Sequence, residues 1–171
     1  MPKDYSNRKY SIIAYDPNWP AQYEIYAEEL KNIFGSNALE VNHVGSTAVP
    51  EMAGKPTIDV VIFVSDIAIA DSLTGKMQTA GFIALGEYVK PGARLFIQEI
   101  DNARICNVHV FEQDDLKGAE MLKIRDYFRA HPNKVKEYSD LKLRLYTEYP
   151  TDYGSYRKHK DEWMQRLVDT L

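Results

Sequence analysis

Residues 43–59 read HVGSTAVPEMAGKPTID and run on into VVIFV at 60–64. The stretch decides the fold because it holds two strands and the turn between them. The segment LEVNHV (39–44) alternates as a half-buried strand does. Gly45 and Ser46 then allow a tight turn, and TAVPEMAGKP is rich in turn residues. TIDVVIFV (57–64) is apolar on both faces, which predicts a central strand covered by helices. A strand ending in Gly-Ser offers N–H groups and a hydroxyl to an anion, with phosphate as the natural guest, and Lys55 adds a cation. Asp59 falls two residues inside the apolar strand, where a carboxylate is costly unless a strand mouth, a metal or a cation is close.

Upstream, YSIIAY (10–15) reads as a short strand and Asp16-Pro17-Asn18 as a turn with helix-cap chemistry. Trp19, Tyr23, Tyr26, Leu30, Ile33 and Phe34 recur at steps of three and four, so a helix runs from 19 to 34 and stops at Gly35. Downstream, Asp66 caps a predicted helix to about Ala80, ending at Gly81. FIALGEYV, RLFIQEI and RICNVHVF follow as strands of an antiparallel meander, parted by turn signals at Pro91-Gly92 and Asp101-Asn102. From Asp115 onward the sequence is charged, tyrosine-rich and helical, broken near His131-Pro132 and Tyr149-Pro150. The expected class is α+β, one domain over 1–171, with a sheet part at about 10–112 and a helical part at about 115–171.

The 171 residues are 44% hydrophobic and 27% charged, the balance of a soluble globular chain with a core. The single cysteine, Cys106, excludes an internal disulfide framework and a CxxC pair, and points to a reducing compartment. The N-terminus MPKDYSNRKYS has no apolar signal core and no run approaches a membrane span, so a cytoplasmic location is expected. A net charge of −4 argues against bulk coating of nucleic acid. That average hides an asymmetry: residues 1–116 carry nine basic and sixteen acidic side chains, whereas 117–160 carry eleven and six. A basic helical half packed across the Gly-Ser end of the sheet would close a cationic cleft over a phosphorylated ligand.

The Gly-Ser turn with an acid on the next strand resembles the polymerase-β-like nucleotidyltransferase fold, and more closely the GrpB (UPF0157) family within it. Six collinear blocks carry the resemblance: AYDPNWPAQYE, HVGSTAVPEMAGKPTIDV, GARLF, NVHVFE, IRDYFRAHPNKVKEYSDLK and YRKHK. The resemblance implies a mixed sheet flanked by helices, Ser46 near a nucleotide triphosphate, and acidic side chains holding Mg²⁺. Active enzymes of that fold place two carboxylates at i and i+2 of the strand after the turn and a third on a later strand. Asp59 matches the first position, Val61 stands at the second, and Asn107 and His109 stand where the third is expected. GrpB-like domains also occur fused to dephospho-CoA kinase, which suits an accessory binding module.

Two further constellations stand out. His43, Asp59 and His109 have the donor set of a zinc or iron site, with Zn²⁺ the alternative to Mg²⁺; otherwise each imidazole is hydrogen-bonded in the sheet or orients Asp59. Lys55, Arg94, Arg125, Arg129, Lys142 and Lys160 form a basic set, read as phosphate contacts or as solvated surface and ion pairs. The candidate catalytic residues are therefore Asp59, Ser46 and His109. The candidate ligand contacts are Gly45, Ser46, Thr47, Lys55, Arg94, Arg125 and Lys160. Gly54-Lys55-Pro56 is no Walker A loop, there is no GxSxG elbow, and Cys106 reads as a core residue. Trp19, Trp163 and the tyrosines at 138, 146, 149, 153 and 156 read as helix packing, although such tyrosines could stack on bases. Three functions follow: Mg²⁺-dependent nucleotidyl transfer, a non-catalytic nucleotide or phosphometabolite module, and a His/Asp metal-dependent hydrolase. Nothing in the sequence specifies an oligomeric state.

Overall fold

Two strands, β1 (Ala38–Val44) and β2 (Ile58–Val64), pair antiparallel across the turn-rich segment, with Val44 opposite Asp59. The computed structural model describes residues 3–171. The later strands are β3 (Ile83–Ala84), β4 (Arg94–Ile100) and β5 (Ala103–Glu112), and the sheet order is β1-β2-β5-β4-β3. Only β2 and β5 run parallel, and their register sets Asp59 beside Asn107 and Val61 beside His109. β2 is thus central, as its doubly apolar pattern predicts, and all of its residues but Asp59 are buried.

The helices cover the two faces differently. α1 (Trp19–Phe34), α2 (Ile67–Ser72) and α3 (Thr74–Thr79) pack on the face built from Ile58, Val60, Ile62, Val64, Cys106 and Val108, where Trp19, Leu30 and Phe34 are buried. Full burial of each such side chain stabilises by roughly 1.5–3 kcal/mol. On the other face, α4 (Leu116–Ala130) sets Met121 and Leu122 against Val61, Phe63 and Phe111. α5 (Pro132–Glu148) and α6 (Tyr153–Val168) complete the helical half. Asp115 and Asp152 cap α4 and α6 by accepting backbone N–H bonds, and Pro132 opens α5, so the breaks fall where the sequence places them.

Three sequence expectations change. YSIIAY forms no strand: Ile13 exchanges two 3.0 Å backbone bonds with Gly54, an isolated bridge that ties the N-terminal segment to the 46–56 loop. The strand expected at 82–89 shrinks to Ile83–Ala84, because Gly86 adopts a positive φ of 58° and turns the chain away. The helix expected from 66 to 80 breaks at Leu73 into α2 and α3, beside Ser72, Thr74 and Gly75, which are weak helix formers. The tyrosines of the helical half pack against one another, as expected. Tyr10 lies 4.8–5.2 Å, ring to ring, from Tyr146, Tyr153 and Tyr156, and Tyr138, Phe128 and Trp163 cluster with near-parallel rings. Among the described residues no helix is long and apolar enough to cross a membrane.

Candidate functional site

The turn after β1 begins at Gly45, whose φ of 75° and ψ of −169° suit only glycine. A Cβ there would lie 2.6 Å from Oδ2 of Asp59, so the missing side chain also admits the Asp59 carboxylate. Ser46–Ala48 then forms a single 3-10 turn. Two arginines from α4 hold its ends: Arg125 Nη1 donates to the His43 carbonyl at 3.1 Å, and Arg129 Nε donates to the Ala48 carbonyl at 2.9 Å. Ala53 N–H donates to Oγ of Ser139 at 3.1 Å, fastening the loop to α5.

These fastenings close a cavity of about 190 Å³ between the turn, β2 and helices α4 to α6. Gly45, Ser46, Lys55, Asp59, Arg125 and Lys160 all line it, six candidates spread over 116 positions of sequence. Lys142, Tyr138 and Tyr156 line it too. Lys142 is the least expected of these. Its side chain is only 2% exposed, and Nζ lies 2.7 Å from Oγ of Ser46 and 4.4 Å from the centre of the Tyr138 ring. Burial, reinforced by Lys160 and Lys55, holds its pKa well below the usual lysine range.

The other amines have acidic partners. Lys55 Nζ donates to the Tyr153 hydroxyl at 2.7 Å; burial lowers its pKa, and Tyr153 offsets part of that. Lys160 Nζ lies 2.7 Å from Oδ1 of Asp161; burial pulls its pKa down, but Tyr138 and Asp161 carry it above the ordinary value. On the sheet side, Asn107 donates to Oδ1 of Asp59 at 2.8 Å, and Arg104 donates to Oδ1 of Asn107 at 3.2 Å. Asp59 is the one carboxylate lining the cavity.

Four candidates stand elsewhere. Arg94 does not reach the cavity: its side chain projects from the α1–α3 face, where its guanidinium forks onto Asp71 at 2.6 and 2.8 Å and contacts Glu87. Thr47 turns inward, 1% exposed, with Oγ1 2.8 Å from Nε2 of His43, so it braces the turn instead of facing a ligand. His43 points to α1 and stacks on Tyr23 at 4.5 Å, because neighbouring residues of a strand face opposite ways and Val44 shares the Asp59 face. Desolvation brings the His43 pKa down to about 4, against a smaller pull upward from Asp59. His109 shares the Asp59 face but lies two residues along β5, stacked on Phe111 and outside the cavity lining, with Nδ1 buried and unpartnered among the described residues.

The donor set therefore fits neither metal centre named above. For zinc or iron, His43 sits on the wrong face, and among the described residues no three His, Cys, Asp or Glu side chains gather closely enough to hold a metal ion. For two magnesium ions, the second position is Val61, fully buried in an apolar cluster, and the third is Asn107, whose amide already donates to Asp59.

Sequence reasoning counted Lys142 only as one of six basic residues. Its signal was its place on α5: Val135, Tyr138, Ser139, Lys142 and Leu145 form the buried stripe at helical spacing, and a lysine in that stripe is out of pattern. Gly54 also escaped notice. A Cβ there would lie 2.6 Å from Cβ of Ser46 and 3.4 Å from Nζ of Lys142, so its absence lets the two side chains meet.

Comparison with known proteins agrees with this architecture. The family model described as GrpB protein matches residues 9–170. The UPF0157 protein YqkA of Bacillus subtilis is 38% identical over 161 residues, 94% of this chain and 47% of that protein, so the chain spans about half the length of that relative. A dephospho-CoA kinase of Mycolicibacterium paratuberculosis is 30% identical over 179 residues, covering 90% of this chain and 44% of the kinase. The crystal structure of the conserved protein GrpB from Enterococcus faecalis superposes with a TM-score of 0.89 at 30% identity, covering 94% of this chain and 96% of that one. With its turn, sheet order and helical half all inside the matched span, the chain belongs to the GrpB family.

Proposed function

We propose that this chain binds a phosphorylated small molecule, a nucleotide or a related metabolite, with its phosphates in the cavity at Gly45 and Ser46. The observation that carries the reading is the imbalance of charge there: Lys55, Lys142, Lys160 and Arg125 line one small cavity with a single carboxylate, Asp59. Cations that outnumber the carboxylates lining a hydroxyl-bearing turn favour an anion, and guanidinium and ammonium groups match phosphate oxygens. The volume of about 190 Å³ suits phosphoryl groups better than a whole nucleotide. Phe128 also lines a second cavity of about 580 Å³ with Tyr15, Tyr23, His43 and Pro132, which has room for an organic portion.

Binding is favoured over two-metal nucleotidyl transfer because the second and third acidic positions are Val61 and Asn107. The dephospho-CoA kinase relatives support the same choice. There the similar stretch makes up less than half of a longer chain named for an enzyme of nucleotide-containing metabolites, which fits an accessory module. Thermal unfolding with phosphate, pyrophosphate and nucleoside mono-, di- and triphosphates, each with and without a chelator, tests the reading. A ligand at a hundred times its dissociation constant stabilises by about 2.7 kcal/mol, and the gain is expected to survive chelation and to shrink in Lys55→Gln and Lys160→Gln. No stabilisation by any of these at millimolar concentration sinks the proposal.

A further inference from the structure

Phosphate recognition does not explain the pairing of Ser46 with Lys142. Lys55 leans on the Tyr153 phenol and Lys160 on Asp161, whereas the recorded partners of Lys142 are the Ser46 hydroxyl and the Tyr138 ring. Lys142 is buried beside Ser46 and lines the cavity with it, Ser46 being half-buried at the cavity wall. Lys142 Nζ donates to Oγ of Ser46 at 2.7 Å, and burial with the two neighbouring lysines favours the uncharged amine, which over the same distance can accept the hydroxyl proton. A base within hydrogen-bond reach behind an accessible hydroxyl is the geometry of an activated nucleophile. The absent side chain at Gly54 keeps that line open, and the face of Tyr138 steadies the amine from the other side.

We propose that Ser46 is a nucleophile toward phosphorus with Lys142 as its general base, and that the site acts on phosphoric anhydrides. The inference rests on the phosphate-binding reading above. In the step, the Ser46 proton passes to Nζ of Lys142 and an Oγ–P bond forms. The anhydride P–O bond breaks, and its electron pair leaves on the departing phosphate. Lys55, Lys160 and Arg125 hold the charge spread over the phosphoryl oxygens and the leaving group, the part a metal plays in other phosphoryl transfers. Water then attacks the phosphoserine. Oγ recovers the proton from Lys142, the water proton departs on inorganic phosphate, and the pair is restored.

A fluorophosphonate, which phosphonylates activated serines with loss of fluoride, tests the pair in the full chain, with the labelled peptide read by mass spectrometry. Ser46 is expected to be labelled, and Ser46→Ala to give no label while keeping the wild-type melting temperature. Lys142→Met and Lys142→Arg are expected to slow labelling by about 10²-fold or more, the usual reach of a general base. Arginine keeps a cation but supplies no base, so a purely electrostatic role predicts a normal rate in that variant. The wild-type rate is expected to level off below the pH range in which an exposed lysine titrates. With pyrophosphate, protection of Ser46 and release of inorganic phosphate are expected. Unlabelled folded wild type, or full-rate labelling of both Lys142 variants, overturns the inference. Stabilisation by pyrophosphate without labelling refutes the nucleophile and leaves the binding reading standing, whereas labelling that pyrophosphate neither protects nor follows refutes the anhydride substrate.

Discussion

Replacing Lys142 with methionine keeps an unbranched chain in the same space and removes the amine. In the folded protein that amine is buried, with Oγ of Ser46 as its hydrogen-bond partner and its pKa well below the ordinary lysine value of 10.5. Between the folded and unfolded pKa values, the unfolded chain carries a proton that the folded chain lacks. Stability rises with pH wherever the unfolded state binds more protons, so the Lys142 contribution climbs toward 10.5 and is lost as pH falls. A full proton of difference is worth about 1.4 kcal/mol per pH unit, which is the ceiling on this slope below 10.5. Methionine has no such titration. Urea unfolding of both chains at stepped pH is the assay, because shifts at groups such as Lys55 occur in both and cancel in the difference. Near pH 7.5 the variant is expected to be the more stable by about 1–3 kcal/mol, the cost of a poorly satisfied buried polar group. That margin should shrink as pH rises toward 10.5, by no more than about 1.4 kcal/mol per pH unit. Parallel curves would mean that Lys142 keeps its proton when folded, and would refute both the electrostatic argument and its role as a base.

Gly45→Ala meets a backbone conformation open only to glycine and a carboxylate 2.6 Å from the new Cβ, so a loss of about 3 kcal/mol or more in urea unfolding is expected, and an unchanged midpoint contradicts the close approach. His43 stays neutral in the fold down to about pH 4, while the unfolded chain protonates it near 6.5. Stability should therefore fall as pH drops through that window, by about 2–3 kcal/mol after allowance for partial solvent screening, and His43→Asn should flatten this acid limb. Arg94→Ala breaks ion pairs whose acidic partners are exposed, so it should cost less than about 1 kcal/mol and leave anion affinity unchanged. A tenfold loss of affinity would return Arg94 to the site.

What the sequence made legible follows from which interactions are local. The strand at 57–64 and the helix at 19–34 announce themselves because burial on two faces or on one stripe imposes a period on neighbouring residues. The Gly45-Ser46 turn is equally local. The failures at 10–15 and 82–89 have one cause: apolar composition qualifies a segment for a strand, but a long ladder needs a partner edge over its whole length, and 10–15 meets only Gly54 while Gly86 ends the pairing with β4. Arg94 and His43 failed through facing. Both are on strands, and a strand sends alternate residues to opposite faces; which face is the site depends on where the helices land, a long-range property. Lys142 was missed for the opposite reason, since its address on the buried stripe of α5 was readable while its charge suggested solvent.

Charge also argues against the second and third acids that the nucleotidyltransferase resemblance implies. A divalent ion beside Asp59 would share about 190 Å³ with Lys55, Lys160 and Arg125, and each cation at short range repels it. Carboxylates at 61 and 107 would restore the balance; Val61 and Asn107 do not. On the proposed reading, Lys55, Lys160 and Arg125 supply directly the positive charge that a metal would lend to phosphate oxygens. Burying Lys142 costs stability, and an apolar residue would fill the same space more cheaply. A costly amine held against a hydroxyl is accounted for by what it does to that hydroxyl and to an arriving anion. Substitutions at Lys142 are therefore expected to separate stability from function, raising the first while removing the second.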